Sequence, residues 1–125
     1  MNNIESYFDR IDSLIRHSYV IDDKVTYRRL TPTSGIIDGV LYFYNGSCLE
    51  FTEALRIAKG AVYKQRYRYH YRSGDMQIFR YDNAPHHPQL QTFPHHKHDE
   101  SDQAIESAEV SLKVVLDEIA ALASV

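Results

Sequence analysis

Val62-Tyr63-Lys64-Gln65-Arg66-Tyr67-Arg68-Tyr69-His70-Tyr71-Arg72 decides the fold. Successive side chains of a strand point to opposite faces. Read as a strand, the run separates into Tyr63, Gln65, Tyr67, Tyr69 and Tyr71 on one face and Lys64, Arg66, Arg68, His70 and Arg72 on the other. Tyrosine is a good strand former, and a tyrosine turned to the core buries its ring while its hydroxyl finds a partner. The basic face then meets water. There it can bind RNA, or it can blunt the sheet against aggregation.

Downstream, Ser73-Gly74-Asp75 turns the chain and Met76 to Tyr81 pairs back. Asp82-Asn83 leads into Ala84-Pro85-His86-His87-Pro88 and then Phe93-Pro94-His95-His96-Lys97-His98. Five of the seven histidines and three of the four prolines lie here. Proline fixes φ and removes a donor, so this stretch is expected as ordered loop, beside the basic strand across a hairpin. Asp99-Glu100-Ser101-Asp102 is expected to start a last helix. Its seam is Ile105, Ala108, Leu112, Val115, Ile119 and Leu122. That seam packs on the sheet or pairs with a second helix, which leaves a homodimer open.

Upstream, Lys59-Gly60 is a turn and Cys48 to Ile57 a strand, returning through the Asn45-Gly46 hairpin signal to Ile36–Tyr44. Thr31 to Gly35 reads as loop. Tyr19 to Leu30 is extended, with a bulge or turn at Asp22-Asp23-Lys24. Asn2 or Asn3 caps a first helix with the stripe Ile4, Tyr7, Phe8, Ile11, Leu14 and Ile15, ending near His17. The order predicts one α+β domain over residues 1–125, an antiparallel meander of about five strands flanked by an N-terminal and a C-terminal helix. Such a meander leaves one sheet face in water.

The net charge of −3 does not advertise nucleic-acid binding, but the charge is segregated. Lys59 to Tyr81 holds six basic residues and one acid; Asp99 to Glu118 holds seven acids and one lysine. The single cysteine, Cys48, excludes an intrachain disulfide and a cysteine zinc site, and fits a reducing compartment. Met1 to Ser6 lacks the start of a signal peptide, and no apolar run approaches the roughly 20 residues of a membrane span. The expectation is a cytoplasmic protein with no membrane partner.

Three chemistries suit the histidine stretch. The first is RNA phosphodiester cleavage without metal or other cofactor. Imidazoles then move protons and cations hold the phosphorane charge. His86, His87, His95, His96 and His98 are the acid/base candidates, Lys97, Arg80 and Arg66 the electrostatic ones, and Asp82 orients an imidazole. Lys64, Arg66, Arg68, His70 and Arg72 would bind the RNA. The second is a zinc or nickel site, using His95, His96 and His98 with Asp82, His86 or His87. Neighbouring histidines in extended chain point apart, so this signal is the weaker one and no metal ligand is assigned. The third is structural, with Asp82 and Asn83 in an Asx turn and histidines capping carbonyls. A non-enzymatic RNA- or protein-binding module and a metal-dependent hydrolase therefore stand as alternatives to the ribonuclease.

Arg80-Tyr81-Asp82-Asn83-Ala84-Pro85-His86-His87-Pro88, with Thr92-Phe93-Pro94-His95-His96-Lys97-His98, resembles the TumE-type toxins of prokaryotic toxin–antitoxin pairs. Ile37-x-Gly39, Asn45-Gly46-Ser47, Tyr69-His70-Tyr71 and the closing helix follow the same order. The resemblance implies a growth-inhibiting toxin that is an endoribonuclease, with RNA as substrate and a cognate antitoxin as partner. The acidic C-terminal segment, with Asp102, Glu106 and Glu109, would offer a basic partner a surface.

Overall fold

The computed structural model describes residues 3–123. Helix α1 (Ile4–Arg16) begins at Asn3, whose side chain accepts the Ser6 amide at 2.7 Å. Asn2, the other cap candidate, lies outside the described residues. His17 closes the helix, its Nδ1 2.8 Å from the Ser13 carbonyl. Ile4, Phe8, Ile11 and Ile15 of the expected stripe are buried.

Seven strands follow in one antiparallel sheet, each beside its sequence neighbour: β1 (Val20–Thr31), β2 (Ser34–Phe43), β3 (Ser47–Ala58), β4 (Ala61–Ser73), β5 (Met76–Asp82), β6 (His96–His98) and β7 (Ala104–Glu106). Helix α2 (Leu112–Ala123) closes the chain. The Lys59-Gly60 turn has both residues at positive φ, +53° and +76°, the backbone that joins twisted strands in two residues. The irregularity expected at Asp22-Asp23-Lys24 falls just before it, as a bulge at Ile21, where the register skips from Val20–Phe43 to Asp22–Tyr42.

Both helices cover the same sheet face. Ile37, Leu41, Leu49, Phe51, Leu55, Tyr67, Tyr69, Tyr71, Phe79 and Tyr81 meet the α1 stripe and Leu112, Val115, Leu116 and Ile119 of α2 in one core. Each such aliphatic or phenylalanine side chain contributes about 1.5–3 kcal/mol by leaving water. Glu53, wholly buried under α1, accepts the hydroxyls of Tyr7 and Tyr69, each at 2.5 Å. That answers the desolvation of a buried carboxylate and pins α1 to β3 and β4.

Three expectations are corrected. First, His96-Lys97-His98 is a strand rather than loop, and Ala104–Glu106 adds another, so the sheet has seven strands instead of about five. Second, Asp99 starts no helix. Its carboxylate accepts the Ser101 and Gln103 amides and the Ser101 hydroxyl, which closes the turn between β6 and β7. The helix starts at Leu112, where Ser111 Oγ accepts the Val114 amide at 3.3 Å. Ile105 and Ala108 lie outside it, as do Asp102, Glu106 and Glu109, so no acidic helix presents those three carboxylates. Third, Lys64 is not on the basic face. Arg66 pairs with Ala54 but Lys64 with Leu55, so Gln65 bulges and every side chain before it changes face. Lys64 joins Val62 on the core side, and Tyr63 turns outward at 45% exposure.

Candidate functional site

The uncovered sheet face carries two rows of residues set by register. One runs Thr52, Arg68, Asp82, His96; the next runs Glu50, His70, Arg80, His98. The loop of residues 83–95 folds back over their end. Asn83 anchors its start: its side chain accepts the Tyr67 amide at 3.0 Å and donates to the Gln65 carbonyl at 3.1 Å, which ties the loop to β4 just past the Arg68–Asp82 pair. His95 anchors its return, stacking on Tyr67 at 5.7 Å with Nδ1 2.9 Å from that hydroxyl. Between these anchors His87 reaches back to the sheet.

A cleft of about 470 Å³ results, lined by Thr52, Arg66, Arg68, Arg80, Asp82, His86, His87, His96 and His98 with the loop start. At its centre Asp82 is 8% exposed and His96 is 2% exposed. His96 Nδ1 donates to the Pro94 carbonyl at 2.9 Å, and its Nε2 lies 3.0 Å from Asp82 Oδ1. The same oxygen accepts the Ala84 amide, and Oδ2 accepts Arg80 Nε at 3.0 Å. His98 Nδ1 sits 3.1 Å from the Asp102 carbonyl. The rings of His87, His96 and His98 meet edge to face, with centroids 4.8 to 5.4 Å apart. These are also the residues able to hold a metal: one donor atom from each lies within 4.8 Å of the others.

Of the acid/base and electrostatic candidates, the cleft gathers His86, His87, His96, His98, Arg66, Arg80 and Asp82, together with the RNA-binding candidate Arg68. Arg68 has no side-chain partner among the described residues and stands exposed over the cleft. His70 and Arg72 share this face outside the lining. Burial, then the charge of Arg68, lowers the His70 pKa. Arg72 is paired with Glu50, at 2.5 Å, and holds that carboxyl below its usual range.

Three candidates are elsewhere. Lys97 alternates with His96 and His98 and so faces α2. Its ammonium lies 2.9 Å from Glu118 and over the rings of Tyr81 and Phe79. His95 serves the loop anchor. Lys64, 6% exposed at its side chain, donates to the Tyr69 hydroxyl and the Val110 carbonyl, and burial lowers its pKa. Asp102, expected at a helix start, instead stands beside the cleft with its carboxylate 3.2 Å from His98 Nδ1. Its signal is its spacing of four from His98 across the Asp99 turn.

A larger, mainly apolar groove of about 1030 Å³ lies between the end of α1, α2 and the β2–β3 turn and shares no lining residue with the histidine cleft. Among the described residues no helix is long and apolar enough to cross a membrane.

The fold and the cleft define a small α+β protein with one face of its sheet sealed by helices and an imidazole–carboxylate–guanidinium cleft on the other. The chain belongs to the TumE toxin family: the family model described as Toxin TumE matches residues 9–123, the whole cleft included. It is thus a toxin. No curated protein and no solved structure matches significantly.

Proposed function

We propose that this toxin is an endoribonuclease that cleaves RNA in the open-face cleft by histidine acid/base catalysis, without a metal ion. The observation that carries the reading is the meeting, in one cleft, of an unpaired arginine, Arg68, with imidazoles of which one, His96, is held by a carboxylate. Cleavage of this kind needs no other reagent. The 2′-oxygen loses its proton to a base and attacks the adjacent phosphorus. The bond from phosphorus to the 5′-oxygen breaks, and that oxygen takes a proton from an acid. The products are a 2′,3′-cyclic phosphate and a free 5′-hydroxyl.

In this cleft the exposed His86 and the free Nε2 of His98 exchange the protons. Arg68 and Arg66 take the phosphate oxygens, and Arg80 remains with Asp82. His96 holds the centre between Pro94 and Asp82. His70 and Arg72 extend the same face as a track for the strand. The family supports a toxin role, and the proposal adds an antitoxin partner and action on cytoplasmic RNA. Lys97 and His95 fall outside the catalytic set because their side chains are turned to α2 and to Tyr67.

The test is cleavage of a mixed RNA in the presence of chelator, beside His98→Ala and Arg68→Ala. Loss of about 10²–10⁴-fold in rate with an unchanged melting temperature is the expected result. Salt-sensitive RNA binding with no turnover would instead make the cleft a binding site.

A further inference from the structure

We infer that His87, His96 and His98, with Asp82, form a closed binding site for a zinc-like transition cation, and that the bound ion silences the cleft. The site stands on geometry alone; the silencing rests on the function proposed above.

His96 gives Nδ1 to the Pro94 carbonyl at 2.9 Å, and His98 gives Nδ1 to the Asp102 carbonyl at 3.1 Å. A metal-binding histidine characteristically donates its other nitrogen to a carbonyl or carboxylate, which fixes the ring and the tautomer. Both rings are thus already oriented, with Nε2 left as the donor atom. His87 supplies the third nitrogen from the overlying loop, and one ring nitrogen from each of the three histidines lies within 4.8 Å of the others.

Nitrogen ligands stand 2.0–2.1 Å from zinc, so neighbours in a tetrahedral shell are about 3.4 Å apart. His96 Nε2 and Asp82 Oδ1, at 3.0 Å, are already close to that separation. The half-buried His87, on a loop, is the ligand free to close the rest. Three imidazoles and a carboxylate suit zinc, and Arg80 does not oppose the ion with a bare charge because it lies 3.0 Å from Asp82 and 3.9 Å from Asp102.

The consequence follows from the ligand count. Catalytic zinc keeps one position for water or substrate, whereas four protein ligands close the shell. An ion held here supplies no hydroxide. It displaces the proton between His96 and Asp82 and takes the His98 nitrogen needed for proton transfer. The toxin would then cleave RNA when metal-free and rest when loaded.

The experiment uses untagged, metal-stripped protein and Co²⁺ as a spectroscopic probe. The expected result is binding at one ion per chain with the intense visible absorption of tetrahedral cobalt. His87→Ala and, separately, His98→Gln should weaken binding by at least about the 10–100-fold that loss of an outer partner costs, with melting temperatures retained. No absorption, or absorption indifferent to both changes, overturns the site. In parallel, Zn²⁺ is titrated into the RNA-cleavage assay. Inhibition at the stoichiometry of binding supports silencing, and full cleavage by the loaded protein overturns it. Cobalt binding by a protein that never cleaves RNA would overturn the nuclease reading while supporting the metal site.

Discussion

Asp82 and His96 stand opposite each other on adjacent strands, carboxylate oxygen to Nε2 at 3.0 Å, and almost no water reaches either. A buried carboxylate is costly unless its partners satisfy it. Here Arg80 and the Ala84 amide complete the set. Asp82→Asn turns an amide donor either toward Arg80 or toward the Ala84 amide and His96, all of them donors. It should lower stability by about 1–3 kcal/mol and disorder the imidazole cluster. Urea unfolding measures the first effect, and the His96 ring resonances report the second. Wild-type stability in the variant would mean that the pair is incidental.

Lys97 and Arg68 should separate cleanly, because β6 and β4 turn them to opposite sides of the sheet. Lys97→Ala removes a partly buried ion pair with Glu118 and packing on Tyr81, a loss of about 0.5–1 kcal/mol, and should leave cleavage by the folded protein intact. Arg68→Ala should keep the melting temperature, weaken RNA binding and flatten its salt dependence. The reverse pattern in paired melting and cleavage assays would place the active groups under α2.

Gly39 marks where β2 must make room for an aromatic ring. A Cβ there would come within 2.8 Å of Phe51 and 2.9 Å of Val25. Gly39→Ala should therefore cost about 1–3 kcal/mol by overpacking, seen as a lower midpoint in urea.

The buried tyrosines set an alkaline limit. Burial, then neighbouring acids, raises Tyr27 to about 12 and lifts Tyr7 and Tyr69 further, both by burial and then by Glu53. Their folded pKa values exceed the unfolded value near 10, so this stability is complete below pH 10. Above it the unfolded chain releases protons that the folded chain retains, and stability falls as pH rises toward and beyond 12. Thermal melting from pH 9 to 12 should show the decline, and the tyrosine absorbance should titrate with unfolding. A flat melting temperature across that range would contradict the burial of these hydroxyls.

Much of this architecture is legible in the residues. The period of two from Tyr67 to Tyr71 orients β4, Asn45-Gly46 places the β2–β3 hairpin, and the helical spacing from Ile4 to Ile15 defines α1. The bulge at Gln65 is not legible, because an inserted residue changes the face without changing composition; Lys64 is misread for that reason. Asp99-Glu100-Ser101-Asp102 is ambiguous in itself, since an aspartate accepting amides two and four residues on serves a turn as well as a helix cap. The prolines of the histidine stretch hide β6. Pro94, however, stands before the strand and not in it, where proline costs no ladder bond. Within β6 the alternation of His96, Lys97 and His98 already sends the lysine away from the histidines. What composition cannot show is that the loop of residues 83–95 brings His87 back onto them.

The central claim is that the open-face imidazoles cleave RNA without metal. The direct measurement is the cleavage rate of a mixed RNA by chelator-treated wild type and His98→Ala, both verified as folded by melting. The expected result is cleavage with 2′,3′-cyclic phosphate ends by the wild type and a rate about 10²–10⁴-fold lower in the variant. Equal cleavage by both proteins, or none by the wild type with or without added metal, would contradict it.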